Sequence, residues 1–288
     1  METIIEQQSS LDDDRTVTNS GFFWRERDGV RVLVSSALEN AGFANGFSTR
    51  LGGVSPLPHG DLNLSGFDDD TSENINENRR RFLAVFPGNY QLSTRWQVHG
   101  TAISIIDSPE GVANTDERAD GLISHSEDLL IGVKTADCVP VLIGDPITKA
   151  YAAIHAGWRG TVESIVAKAV ENLRRVYSSK PEDMITAIGP AAACRRYEVG
   201  SDVIDSFEHN FADSQKYFRP TRDGHALVDL HAANRDQLIA AGVAHTNIFT
   251  APFCTMERND LFFSYRLESR TQGKTGRLMS VIGRARSD

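Results

Sequence analysis

Cysteine is scarce: Cys138, Cys194 and Cys254 are the only three in 288 residues, widely spaced and odd in number. That excludes a disulfide framework and fits a reducing compartment, where a thiol serves packing, metal binding or catalysis. No apolar run approaches the roughly 18 residues of a membrane span. The opening METIIEQQSSLDDDR lacks the basic and apolar regions of a signal peptide, so the cytoplasm is the expected compartment. Basic residues are outnumbered, 30 against 39 acidic, for a net charge of −9. This weighs against nucleic acid and anionic membranes as partners and favours small-molecule substrates. Internal repeats, linkers and low-complexity blocks are missing too. So are C-x-x-C, H-x-x-x-H and H-x-H pairs, which removes the usual local announcements of a metal site.

What is present is an ordinary globular balance, 40% hydrophobic and 24% charged, able to fill a core. Residues 1–19 are polar and acidic without periodicity and are expected to form a mobile tail; residues 20–288 form one domain. DLLIGVKT, CVPVLIGD, KAYAAIH, HTNIFTAPF and RLMSVIGR read as strands from β-branched content and bounding turns. TVESIVAKAVENLRRVY reads as one helix capped by Thr161, with Val162, Ile165, Val166, Ala169, Val170, Leu173 and Val176 in a stripe. SENINENRRRFLAVF, SDVIDSFEHNF and LHAANRDQLIAAG add three more helices, giving a mixed α and β domain.

The stretch AAIHAGWRG runs an apolar strand into His155 and a Gly-flanked cationic loop. Pro146 suits the second position of a type I turn between CVPVLIGD and KAYAAIH. A hairpin centred on the Pro146–Ile147 bond sets Cys138 directly opposite His155, with Cβ atoms about 5 Å apart. STRWQVHG, read as a further strand, ends with His99 before Gly100. One Cys and two His at strand ends are the ligand types of a catalytic zinc site with an open fourth position. The competing account is a buried structural cysteine with two capped core histidines.

In NINENRRRFLAVF, an advance of about 100° per residue from Ile75 brings Phe82, Phe86 and Arg79 within about 40° of one line, with Asn78 at the edge. A guanidinium sent toward the core needs a partner. Arg79 is therefore either an internal ion pair or an anchor for phosphate or carboxylate. GWRG leads into the helix at Thr161, whose amides favour an anion near His155. Trp158 offers an aromatic wall for a flat heterocycle, or a core anchor.

GFSTRLGGVS, LNLS, ENRRRF, WQVHG, ADGLIS, TADCVPVLI, AAIHAGWRG, YEVG, FCT and FFSYRLESRTQGKTGR occur in the order seen in the YfiH-like, laccase-domain family of purine nucleoside phosphorylases. The chain resembles that family over almost its whole folded length. The resemblance implies an α+β fold of layered mixed sheets flanked by helices, similar to the catalytic domain of cytotoxic necrotizing factor. It implies metal ligation by His99, Cys138 and His155, and gives the arginine of the ENR motif as Arg79. One departure stands out: GPAAACRRYEVG has Ala191-Ala192 where the family usually has Ile-Gly, and Arg195-Arg196 before Tyr197. The departure leaves open which nucleoside is preferred.

Four functions compete. The first is a zinc-dependent phosphorylase of adenosine, inosine and methylthioadenosine that also deaminates adenosine, with purine nucleosides and phosphate as its partners. Asp137 is then either the proton-handling carboxylate or a support for Cys138, and Arg79, Trp158 and Arg159 bind substrate or phosphate. The second is a copper polyphenol oxidase, for which eight histidines without an H-x-H pair are few. The third is a metal-free cysteine hydrolase with Cys138 activated by His155. The fourth is a scaffold or peptidoglycan-editing factor.

Overall fold

The computed structural model describes residues 14–57, 61–65, 70–108, 111–112, 116–271 and 273–286. The turns TRLGGVSPLPHGD and DSPEG therefore lie partly outside the described residues, as does the expected tail up to residue 13. Residues 14–19 are helical, and Val17 is buried in the main core with Phe22 and Leu38. The folded chain thus begins before residue 20: Val17 is the apolar anchor that a reading from polarity alone overlooks.

The strands in chain order are β1 (Phe22–Arg27), β2 (Val30–Ser35), β3 (Phe43–Ser48), β4 (Gln91–Ser93), β5 (Ile103–Ile105), β6 (Gly121–Ser124), β7 (Leu129–Thr135) and β8 (Val139–Gly144). They continue with β9 (Tyr151–Ala156), β10 (Ile185–Ile188), β11 (Glu198–Gly200), β12 (Phe218–Pro220), β13 (His225–Val228), β14 (Ile248–Thr250) and β15 (Leu278–Arg284). One six-stranded sheet has the order β1-β2-β3-β15-β7-β4, a second β14-β10-β8-β9-β6-β5, and a small third β11-β13-β12. Both large sheets are mixed: β4/β7, β5/β6 and β10/β14 are parallel pairs and the other pairs are antiparallel.

Side-chain alternation explains the layering. In the second sheet Leu142, Tyr151 and Ala153 join Phe43, Phe47, Ile131 and Ile282 of the first sheet in one core between the sheets. Their neighbours Val141, Ile143, Ala152 and Ile154 face the other way. There they pack under the helices α4 (Ile165–Tyr177), α5 (Ser201–Asn210) and α6 (Leu230–Ala240). The outer face of the first sheet is covered by α2 (Ser72–Leu83), through Phe82 against Val32, Leu130 and Val281. Two short helices complete the set before the site is reached: α1 (Ser36–Asn40) and α3 (Trp158–Val162).

α3 and α4 replace the single helix expected from residue 161. The apolar stripe from Val162 to Leu173 is buried as its spacing requires, but Ser164 takes φ +60° and breaks the helix. Its cause is tertiary: Gln237 on α6 donates to the Thr161 carbonyl at 2.7 Å, and Asn234 to the Thr161 hydroxyl at 3.0 Å. Thr161 lies inside α3 instead of capping a helix, and GWRG is its first turn instead of a loop before it. HTNIFTAPF is a strand only over Ile248–Thr250, and STRWQVHG is a strand only at its first residue, Ser93.

Candidate metal centre

β8 and β9 pair with Pro140 opposite His155 and Val139 opposite Ala156. This register is shifted by two residues from the hairpin expected around Pro146–Ile147. Asp145 is the reason. Its carboxylate accepts from the Ile147 amide at 2.8 Å and the Thr148 hydroxyl at 2.7 Å, and Lys149 at φ +63° closes a longer turn. Because the shift is even, the faces survive. Cys138, just ahead of β8, is the diagonal neighbour of His155 on the face toward the first sheet, where diagonal pairs stand about 7–8 Å apart at Cα.

His99 reaches the same point from a loop and not from a strand end. It has φ +59°, a left-handed conformation, and is exposed, whereas Cys138 is partly buried and His155 buried. Asp120, fully buried ahead of β6, supplies the hold. Its carboxylate accepts from the amides of Val98, His99 and Gly100 at 3.1, 2.9 and 2.8 Å. It also receives His155 Nδ1 at 2.8 Å, and its carbonyl accepts the His155 amide at 2.7 Å. Gln97 pins the same loop by exchanging two hydrogen bonds with the Lys134 backbone, at 2.7 and 2.8 Å. One carboxylate therefore sets both histidines: a proton held on Nδ1 of His155 leaves Nε2 to act as a ligand.

The ligand atoms of His99, Cys138 and His155 lie within 4.8 Å of one another, and the two imidazoles stand edge to face, 4.8 Å between centroids. Gly157 keeps the space around them. A Cβ there would sit 3.1 Å from His99 Cδ2 and 3.2 Å from Cys138 Sγ. Burial alone would raise the Cys138 thiol pKa. The charge of His155 and hydrogen bonds from both histidines outweigh it and hold the thiol well below its usual range. His155 is pushed up in turn: burial would lower it, but Cys138 and Asp120 prevail. A thiolate with two imidazoles fits a zinc-type ion, and the exposed His99 side leaves a fourth position open.

The other expected residues are distributed around this cluster. Asp137 has φ +88° and is buried. Thr255 Oγ1 donates to one of its oxygens at 2.7 Å; Ser264 Oγ and the Arg266 amide donate to the other at 3.0 and 2.7 Å. It ties two segments, at Thr255 and at Ser264–Arg266, to the residue before Cys138, so the carboxylate bonded to a member of the trio is Asp120. Trp158 packs half-buried against the helix-covered core, with the exposed Arg159 guanidinium 4.3 Å over its ring. Arg79 lies on α2 and donates from Nη2 to the Ser65 carbonyl at 3.1 Å. Its neighbour Asn78, expected at the stripe's edge, is the fully buried one: it binds the Val54 amide, Ser55 Oγ and Asn63 O. Asp120, Tyr197 and Arg266 escaped notice. The available signal for Asp120 was a lone charge ahead of the apolar strand in ADGLIS.

The fold and this cluster define an α+β protein of layered mixed sheets with a His/Cys/His cluster of a kind that could hold a metal ion. A family model described as multi-copper polyphenol oxidoreductase laccase matches residues 44–285, and the chain belongs to that family. It is 35% identical over 237 residues to the purine nucleoside phosphorylase YfiH of Shigella flexneri, covering 82% of this chain and 91% of that one. It is also 35% identical to a purine nucleoside phosphorylase of Deinococcus radiodurans, over 86% and 92% of the two chains. The crystal structure of YlmD from Geobacillus stearothermophilus superposes with a TM-score of 0.82 at 33% identity, covering 91% of this chain and 98% of that one.

Proposed function

We propose that the chain is a zinc-dependent purine nucleoside phosphorylase acting on adenosine, inosine and methylthioadenosine, with adenosine deamination as a side activity. The observation that carries this is the trio His99, Cys138 and His155, with donor atoms within 4.8 Å of one another, in a family whose curated relatives bear the phosphorylase name. When bound, zinc would supply a Lewis acid for developing negative charge. Asp120 keeps the His155 proton on Nδ1 and locks the His99 loop, so the ligands are set before substrate arrives. Arg79 anchors phosphate, Trp158 and Arg159 flank the nucleoside, and Asp137 fixes the backbone of Cys138. In phosphorolysis a phosphate oxygen bonds to C1′ of the ribose as the C1′–N9 bond breaks. The purine leaves with that electron pair and takes up a proton, giving free base and ribose 1-phosphate. Deamination replaces the adenine amino group by water and releases ammonia.

The family description favours one second reading, copper oxidation of phenols, since two His and a Cys are also a copper set. Among the described residues the trio is the one cluster of three such donors, whereas multicopper oxidation needs several. Metal analysis followed by mass spectrometry of products from adenosine with phosphate separates the readings. Phosphate-dependent base release that stops after chelation supports the phosphorylase; oxygen uptake with phenols supports copper; turnover that survives metal loss would leave a metal-free cysteine hydrolase. The cytoplasm is the proposed compartment. No helix among the described residues is long and apolar enough to cross a membrane.

A further inference from the structure

Arg266 belongs to the segment SYRLE, which opens the short helix α7 (Tyr265–Thr271). Its amide is fixed by the carboxylate of Asp137, the residue next to the ligand Cys138, at 2.7 Å. Its guanidinium carbon stands 5.0 Å over the ring of Tyr197, and Nη1 donates to the Glu198 carbonyl at 2.9 Å. Tyr197 in turn lies close enough to Cys138 to feel its charge: burial first, then the thiolate, push the phenol up to about 12. The Arg266 amide is thus tied to the residue beside Cys138, and the guanidinium stands over the Tyr197 ring. Among the described residues it has no carboxylate partner. Nη1 is committed to Glu198 and a further bond engages Tyr197; the guanidinium donors beyond these suit an oxyanion. Contacts to Tyr197 and Glu198 hold the side chain before any anion arrives, which lowers the ordering cost of binding.

We propose that Arg266 is a phosphate-binding residue of the metal centre, its guanidinium over Tyr197 pairing with inorganic phosphate beside Cys138. The proposal rests on the phosphorylase reading and gives phosphate a second cationic holder besides Arg79.

The test uses the zinc-loaded full chain and the variants Arg266→Ala, Arg266→Gln and Arg266→Lys. Gln keeps a donor for the Glu198 carbonyl without the charge, so it decides the matter if Ala disturbs folding. Zinc content, calorimetric binding of inorganic phosphate without nucleoside, and inosine phosphorolysis across phosphate concentrations are measured for each. Ala and Gln should weaken phosphate binding and raise its KM by about 10- to 100-fold, the span of a lost charge-assisted hydrogen-bond pair. Zinc content and the KM for inosine should stay unchanged, and Lys should restore part of the loss. Wild-type phosphate affinity in the Gln variant overturns the proposal, as does an equal loss for inosine and phosphate. The two ideas also fail separately. Phosphate binding that depends on Arg266, in a wild-type protein that releases no base, would sink the phosphorylase reading and leave the phosphate site standing.

Discussion

Two buried polar clusters show what separates a structural assembly of charges from a reactive one. Arg50 is 5% exposed, yet each of its three guanidinium nitrogens donates within the protein. It bonds both oxygens of Asp61, at 3.2 and 2.7 Å, along with Glu268 at 2.9 Å and the Asn259 carbonyl at 2.8 Å, and it lies 4.5 Å over Phe263. Glu268 is itself closed by the Ser264 amide and Thr275 Oγ1. Burial by itself would lower the pKa of Arg50, but Asp61 and Glu268 reverse that and hold its charge more firmly. The ligand trio is built the opposite way. Asp120 satisfies the backbone and one ring nitrogen, while the remaining donor atoms of His99, Cys138 and His155 converge on one another. The first cluster ends its hydrogen bonds inside the protein; the second leaves three donor atoms facing one another, a set that fits an ion.

The largest effect expected from this contrast is on metal. Cys138→Ala removes the one thiolate and should abolish stoichiometric zinc, with activity falling by roughly 1,000-fold or more, as loss of one of three catalytic ligands implies. Its thermal stability without metal should stay near that of the metal-free parent. Full zinc content in this variant would show that the trio is not the site.

Arg50→Met tests the closed cluster. It strands the buried carboxylates of Asp61 and Glu268, a loss of about 3–5 kcal/mol and a fall in Tm of roughly 10 °C. Zinc affinity of the folded fraction should not move. A variant that unfolds at the wild-type temperature would mean that the Arg50 network contributes little.

How much of this was readable beforehand follows the same division. The strands of the β8/β9 hairpin, the α4 stripe and the shared face of Cys138 and His155 follow from alternation and turn residues, which act locally. The register did not, because the Asp145 side chain, and not Pro146, places the turn. The break at Ser164 was hidden because Gln237 and Asn234, more than 70 residues away, hold Thr161. The left-handed His99 loop depends on Asp120, at a separation of 21 residues. A side chain that organises backbone at a distance leaves no periodicity in a sequence. Arg79 was legible as turned in from the helix surface, but not its bond to the Ser65 carbonyl.

Asp120→Asn is the next smaller effect. Asn keeps the shape and one acceptor, yet it supplies no charge for His155 and only part of the clamp on residues 98–100. Zinc affinity should fall by about 10- to 100-fold, the usual result of losing a carboxylate behind a ligating histidine. Competition with a chromophoric chelator measures it; an unchanged affinity would reduce Asp120 to a loop brace.

The smallest effect is a shift in titration, read on the metal-free protein by the pH dependence of iodoacetamide labelling with peptide mapping. The thiolate is the reacting form, so labelling rises with pH through the thiol pKa. Despite burial, which opposes ionisation, the charge and hydrogen bonds of His155 and His99 depress the Cys138 pKa, so its labelling midpoint should fall below the ordinary thiol range. Cys194 is displaced the other way, first by burial and then by Asp229, and should label only at higher pH. Cys254 is buried and should label last. His155→Ala removes the main stabilising charge, so the Cys138 midpoint should move upward toward that of Cys194. Two cysteines with the same midpoint in the metal-free wild type would mean that no thiolate–imidazolium pair exists there. The contrast between an open and a closed cluster would then rest on geometry alone.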